Sequence, residues 1–562
     1  MKKSLQFCIL FGLIVNISYS KGPAHYSLQG IIVDVKEAQH FVGVVEIKDG
    51  KISAVHRDIE NLPEGVPAPK LTNLMIYPGL IDNHNHIKYN LMPLWIPSKP
   101  TFNNRSEWPK LKEYTKGVKK VFKEIYKDPA ECREMKRGPE KDECLLKHKC
   151  PIIIYSELKA LANGVTTIQG STAFSETTGD IVSYKGLTPL DEWQSELETK
   201  LTNCLAGGAR ISERDVFDGD INRVRTTAIG IGDKGWADTE ENPKGKEAGK
   251  SLIEEIANDK NDAFFVHLAE GKKADQSSKD EFGILAKLDL LRPEMVIIHG
   301  TALGAEEFKA MGEKEMGLVW SPTSNLLLYG ETTNIPLALD NGVYITLGSD
   351  WSLSGTKGLL GELKIADWSL KNLYGDEKIE KQQMSIVQMA TINGARALGQ
   401  EDHLGSIESG KFADFLITKA PNYCADPFEY LVGLEEKDLD LVVVGGTPLY
   451  GKPESIQAIN PEAVLSQVPE EICGQVKAFS LNYPTQVDFG KLVSDLGSKI
   501  QAAYDKLPED IRTTLEVIPE NVEGIFEKPF GKVDPICSFG DERFKKLILR
   551  MKGPLEIKPE SP

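Results

Sequence analysis

Residues 76–86 read Ile76-Tyr77-Pro78-Gly79-Leu80-Ile81-Asp82-Asn83-His84-Asn85-His86. An apolar run gives way abruptly to polar residues, as in a buried parallel strand that delivers side chains at its C-terminal end. Alternate residues of a strand share a face, so the His84 and His86 rings can reach one point. The same pattern recurs downstream. His267 closes Phe264-Phe265-Val266, His299 closes Val296-Ile297-Ile298, and Asp350 closes Tyr344-Ile345-Thr346-Leu347-Gly348-Ser349. In a closed parallel barrel all such ends converge on one rim. Three imidazoles and one carboxylate suit Zn²⁺ or Fe²⁺. Each residue taken alone reads as a structural histidine or a capping aspartate. The chain has only nine histidines, however, and four of them close apolar runs.

Working outward, strands and helices alternate. Helix-like Tyr155–Ala162 leads to Val165–Ile168, followed by Val224–Ile231, Leu252–Asn258, Ala263–Leu268, Gly283–Leu291, Met295–Ile298, Gly317–Trp320, Val343–Leu347 and a helix near Ser385–Leu398. This cadence predicts α/β architecture, a TIM-type (β/α)₈ barrel over residues 77–404. Short strands flank it: Gly30–Val35, Gly43–Ile47 and Lys51–Val55, the last two joined by an Asp49-Gly50 hairpin turn, then Asp414–Ile417 and Leu441–Val444. Residues 21–76 and 405–455 are therefore expected to build a small composite β-sandwich domain. Residues 88–150 form an insert with 16 basic and 9 acidic residues, a local balance of +7, read as a solvated surface carrying two helices. Residues 456–562 read as a separate C-terminal extension.

Composition excludes some classes. The 562 residues are 41% hydrophobic and 27% charged, which rules out wholesale disorder. The net charge of −17 argues against generic nucleic-acid binding. Residues 1–20 have Lys2 and Lys3 before an apolar run, Leu5–Ile17, and small residues Ser18 and Ser20 behind it. That is the order of a signal peptide, so an exported protein, periplasmic or secreted, is expected, with no integral membrane segment after cleavage. Loss of Cys8 leaves seven cysteines, for which disulfides are the default in an oxidising compartment. Cys132, Cys144, His148 and Cys150 also admit a Cys₃His zinc site, but their spacing is irregular. Homo-oligomerisation stays open.

The stretch Pro78–His86 resembles the first-strand signature of the amidohydrolase superfamily. His267-Leu268-Ala269-Glu270 is similar to the fifth-strand motif of its mononuclear metal-dependent hydrolase and deaminase branch, which includes guanine, S-adenosylhomocysteine and triazine aminohydrolases and imidazolonepropionase-like proteins. Ile298-His299-Gly300, Ser321-Pro322-Thr323-Ser324-Asn325-Leu326 and Gly348-Ser349-Asp350 resemble the sixth, seventh and eighth strands. Gly405–Asp414 resembles part of the family's β domain. The resemblance runs from about residue 28 to about 450; the insert and the extension depart from it. It implies that His84, His86, His267 and Asp350 ligate one divalent metal, Zn or Fe. It also implies that His299 faces water or substrate and that Glu270 shuttles protons. Asn325 and Trp351 are candidate substrate contacts.

The chemistry agrees with those assignments. A bound metal lowers the pKa of water from 15.7 toward ~7. Asp350 or His299 can accept the proton while hydroxide attacks an sp² carbon. A C–N bond then needs its nitrogen protonated before it leaves, a role for Glu270, otherwise a surface glutamate just past a strand. The expected function is metal-dependent hydrolysis of a non-peptide carbon–nitrogen bond of a small molecule, as a deaminase or cyclic amidase. The alternatives are an inactive binding protein on the same fold and a binuclear peptidase-like enzyme. Lys234 is the nearest candidate for a bridging carboxylated lysine. Gly230–Gly235 matches GxGxxG, but no apolar-periodic helix follows to hold a pyrophosphate. No GxSxG elbow is present. Asn104-Arg105-Ser106 is a glycosylation sequon.

Overall fold

The structure is a computed structural model. It describes residues 23–170, 204, 210–211, 224–228, 262–374, 382–421, 426–465, 472–480, 488–516, 532–537 and 541–552. The signal-like residues 1–20, Lys234, the Gly230–Gly235 stretch, Leu252–Asn258 and Cys424 lie outside them.

Eight strands form the barrel: β5 (Leu80–Asp82), β6 (Val165–Ile168), β7 (Arg210–Ile211), β8 (Val224–Ala228), β9 (Ala263–Leu268), β10 (Met295–His299), β11 (Gly317–Trp320) and β12 (Tyr344–Leu347). β5–β6–β7 and β8 through β12 pair in parallel and in sequence order. The ring continues from β12 back to β5. Asn83 N donates to Leu347 O at 3.0 Å and Asp350 N to His84 O at 2.7 Å. The fold is the expected α/β barrel. Its inward face stacks Ile81, Ala263, Phe265, Val296, Ile298 and Val319. On β9, Ala263 and Phe265 lie beneath His267 on one side, while Phe264, Val266 and Leu268 face the surrounding helices.

The flanking segments form one mixed eight-stranded sheet. β4 (Pro69–Pro78) sits at its middle, parallel to β1 (His25–Asp34) and antiparallel to β13 (Phe415–Lys419). β2 (Gln39–Lys48) and β3 (Lys51–His56) complete one side, with Asp49 and Gly50 at φ +50° and +83° in the predicted turn. On the other side lie β14 (Leu439–Val444), β15 (Thr447–Gly451) and β16 (Ala478–Phe479). The sheet curls onto itself: Tyr26 OH donates to Gly446 O at 2.9 Å, and Ala413 N to Gly50 O at 3.0 Å. The edge strand β16 comes from beyond residue 455, so the sheet recruits chain that the sequence assigned to the extension.

Three further expectations change. The insert is not a solvated flap. Lys88, Glu113, Asp142 and Lys149 are buried, as are Trp95, Phe102, Trp108, Tyr114 and Phe122, and Tyr89 stacks on Phe122 with ring centroids 4.0 Å apart. The segment read as Tyr155–Ala162 is the end of a longer helix, Pro139–Ala162, that runs through Pro151. The extension does not stand apart either. Its helix Phe489–Asp505 packs on Lys119–Tyr126, and Phe544, Leu547 and Ile548 of its last helix bury against Leu326, Leu327 and Ile365.

Three disulfides join Cys132 to Cys144, Cys150 to Cys204 and Cys473 to Cys537. Oxidation of Cys132, Cys144 and Cys150 removes the Cys₃His zinc reading, because thiolates ligate and disulfides do not. The sequon is occupied by structure: the Asn104 amide donates to Asp275 Oδ2 at 2.8 Å and accepts from Ser106 N at 3.0 Å.

Gly348 sits where the barrel closes. A Cβ there would lie 2.4 Å from His84 Cβ and 2.6 Å from His84 N. Gly348→Ala should therefore cost about 1–3 kcal/mol in urea denaturation. Unchanged stability would show that the β12–β5 junction is looser than this packing requires.

Candidate metal centre

The chain leaving β5 and the chain leaving β12 run side by side. Asp350 N donates to His84 O, and His86 N donates back to Asp350 O at 2.9 Å. Asp350 Oδ1 thus stands 3.2 Å from His84 Nε2 and 3.3 Å from His86 Nε2. The His84 ring lies 4.8 Å from His86, 4.7 Å from His267 and 5.1 Å from His299, centroid to centroid. The five side chains that the sequence placed at four strand ends therefore meet at one rim. Ala269, His299 and Asp350, at the ends of β9, β10 and β12, all adopt left-handed backbone, with φ of 54°, 70° and 60°. Such conformations cost about 1–3 kcal/mol each and persist only where surrounding structure enforces them.

Electrostatics suit a cation. Burial pushes the His84 imidazole down to about 4, against the pull of Asp350. Burial, reinforced by neighbouring imidazoles, holds His267 well below the usual range. Burial alone would raise the Asp350 carboxyl, but His84 and His86 hold it well below the usual carboxylate range. Burial thus favours neutral His84 and His267 rings beside an anionic Asp350 oxygen. One observation tests the fit of this set to a metal directly. His84 Nε2 is buried and makes no hydrogen bond, although Asp350 Oδ1 is close by. Two ligands on a tetrahedral zinc with bonds of about 2.0–2.1 Å stand about 3.3 Å apart, which matches both His–Asp350 separations. His84, His86 and His267 offer nitrogens within 4.8 Å of one another, as do His84, His299 and Asp350 their ligand atoms. These residues fit a divalent ion.

Glu270 follows β9 and is buried beside the cluster. Its Oε1 accepts from Tyr329 OH at 2.5 Å, while Oε2 lies 3.7 Å from His299 Nε2 and 4.0 Å from Arg105. Asn325 departs from its expected place as a substrate contact. It is fully buried, its Oδ1 3.0 Å from His299 Nδ1 and its Nδ2 bonded to Thr332 Oγ1. It therefore orients the His299 ring, because an amide oxygen can only accept and so fixes the proton on Nδ1. Trp351 borders the site, 5.9 Å from the His86 ring. Its Nε1 donates to Ser354 Oγ at 2.5 Å, and Trp108 and Tyr89 lie against it at 5.3 and 5.2 Å.

The sequence reading missed the residues that hold this set. Asp82 is buried; it accepts from Ser349 Oγ at 2.5 Å, Ser349 N at 3.0 Å and Asn85 Nδ2 at 2.9 Å. Burial raises its pKa, and those bonds oppose the rise. Ser324 donates to Asp350 Oδ2 at 2.6 Å. Arg105 donates to Glu281 at 3.0 Å and to His267 O at 2.9 Å. Glu281 accepts from Ala269 N at 2.6 Å, and burial lifts its carboxyl to about 7. Asp82 and Ser324 stood inside quoted motifs, next to assigned residues. Nothing local marked Arg105.

The profile of the amidohydrolase family matches residues 233–449. The 5-methylthioadenosine/S-adenosylhomocysteine deaminase of Moorella thermoacetica is 23% identical over 451 residues, covering 76% of this chain and 94% of that protein. A probable guanine deaminase of Schizosaccharomyces pombe is 31% identical over 146 residues, covering 25% and 28%. Among solved structures, an adenosine deaminase from Xanthomonas campestris with bound zinc superposes with a TM-score of 0.56 at 17% identity, covering 88% of this chain and 99% of that one.

Asp82→Ala strands Ser349 N and weakens the hold on Asn85. It should cost about 1–3 kcal/mol in denaturant melts. A neutral substitution would show that the turns after β5 and β12 hold themselves.

Proposed function

We propose that this chain, which carries an amidohydrolase-family domain and is a metal-dependent hydrolase of carbon–nitrogen bonds, uses zinc to deaminate a small, planar, amino-substituted heterocycle. The observation that carries the reading is that His84 shares one cluster of ligand atoms with His86 and His267 and another with His299 and Asp350, Asp350 lying 3.2 and 3.3 Å from His84 and His86, with Glu270 beside His299. Deaminase relatives support amino-group removal, and the aromatic wall of Trp351, Trp108 and Tyr89 supports a flat substrate.

In this reading His84, His86, His267 and Asp350 hold the ion. A divalent metal bound there lowers the pKa of water toward ~7 and polarises the bond under attack. The protein's own residues then handle protons and orientation. Asp350 accepts the proton of the attacking water, its other oxygen held by Ser324. His299, with Nδ1 committed to Asn325, presents Nε2 to the side of the reacting carbon, next to Glu270. Tyr329 occupies Glu270 Oε1, leaving Oε2 to carry a proton to the departing nitrogen. Arg105 and Glu281 fix the chain around His267 and Glu270 from behind.

We also infer export to an oxidising compartment. The charge order of residues 1–20 and the three disulfides support it.

Purified protein should carry about one zinc per chain by elemental analysis, and His84→Ala should lose metal and turnover together. Ammonia release should be screened over aminopurines, aminopyrimidines and aminotriazines, with lactams as the comparison. Zinc-loaded protein that opens lactams but releases no ammonia would replace deamination by ring hydrolysis. Glu270→Gln should keep its metal and lose about 10²–10⁴-fold in kcat; wild-type turnover in that variant rules out the shuttle. Protein recovered from its native host should begin after Ser20 by mass spectrometry, and retention of Met1 would rule out export by signal cleavage.

A further inference from the structure

The C-terminal extension sends one carboxylate into the protein interior. Asp534 is fully buried, and its carboxylate grips the ammonium groups of Lys159 and Lys357, both buried as well. Each lysine makes a second bond, and each of those goes to a loop of the rim. Lys159 Nζ donates to Asn90 O at 3.1 Å, in the loop that follows His86. Lys357 Nζ donates to Ser352 O at 3.3 Å, two residues past Asp350. The two loops are also tied to each other, because Ser352 Oγ donates to Tyr89 O at 2.8 Å and Met92 O at 2.6 Å. Asp534 completes the bridge with its own backbone: its N–H donates to Leu91 O at 3.0 Å and its carbonyl accepts from Tyr155 OH. Three residues on, Cys537 is bonded to Cys473, close to the sheet edge at β16. The segment carrying Asp534 is thus covalently anchored where it enters.

We propose that Asp534 is a positioning residue for the metal centre, acting through Lys159 and Lys357 on the loops that carry His86 and Asp350. The geometry serves two ends. One carboxylate lets two like charges share a low-dielectric site. The two ammonium groups, held in place, pin one carbonyl in each loop, so the separation between the chain after His86 and the chain after Asp350 is set from behind the rim. The extension is then a working wall of the site.

The inference rests on the metal reading above, and the test separates them. Zinc affinity is measured by competition with a chromophoric chelator, and the visible spectrum of the cobalt-loaded protein reports ligand geometry. Asp534→Asn should weaken zinc binding about 10-fold and alter the cobalt spectrum. It should also lower Tm, because two ammonium groups are left without a counter-charge. Asp534→Asn with Lys357→Met removes one positive charge along with the negative one. This double variant should recover Tm, yet keep weakened zinc binding, because the bond to Ser352 O is still missing. If Asp534→Asn does not fold, the double variant carries the test alone. Wild-type affinity and spectrum in a folded Asp534→Asn protein, or full recovery of both in the double variant, overturns the inference and leaves Asp534 a purely structural counter-ion. Failure of the wild-type protein to bind either metal instead overturns the reading beneath it.

Discussion

Two backbone hydrogen bonds, Asp350 N to His84 O and His86 N to Asp350 O, join strands that are more than 260 residues apart in sequence. They place one carboxylate between two imidazoles, and the rest of the centre depends on that placement. A buried carboxylate costs several kcal/mol in lost hydration and needs compensation close at hand. Here the compensation is shared. His84 and His86 face one oxygen and Ser324 the other. Asp82 locks the turns on either side of the pair. The same burial that makes the carboxylate expensive disfavours the charged form of the His84 and His267 imidazoles, and neutral imidazole is the form that donates to a metal.

The layers around this centre have separate tasks. β9 delivers His267 in register with Ala263 and Phe265, whereas β10 ends on His299 in left-handed backbone, so that side chain turns over the rim instead of continuing the alternation of the strand. The insert contributes Arg105, which ties Glu281 to the end of β9, and an aromatic wall against Trp351. Most of its lysines face outward while its tryptophans face in, and buried Lys149 is paired with Asp128, which reconciles a strongly basic segment with a buried position. The extension closes the back of the rim and, through β16, lengthens the sheet that flanks the barrel.

The barrel strands were legible because their signals are local. Val165–Ile168, Ala263–Leu268 and Gly317–Trp320 read from apolar runs and appear with the same bounds. The β2–β3 hairpin was legible from Asp49-Gly50, a pair that tolerates the left-handed backbone its turn demands. The insert was misread for a physical reason: charge density describes the solvent side of a helix and says nothing about what the other side covers. Asn325, a candidate substrate contact in the sequence, has its amide bonded to His299 and Thr332.

By itself, the sequence determined which side chains end the strands and what they can do chemically. Alternation along a strand and a sharp change from apolar to polar are properties of a few consecutive residues. Only the tertiary structure decided who holds those side chains in place. Tyr329 reaches Glu270 across 59 residues, Arg105 reaches Glu281 across 176, and Asp534 reaches Lys159 across 375. Partners so far apart share no periodicity, and their selection rests on charge and hydrogen bonding in a dry interior, which exists only once the chain has closed.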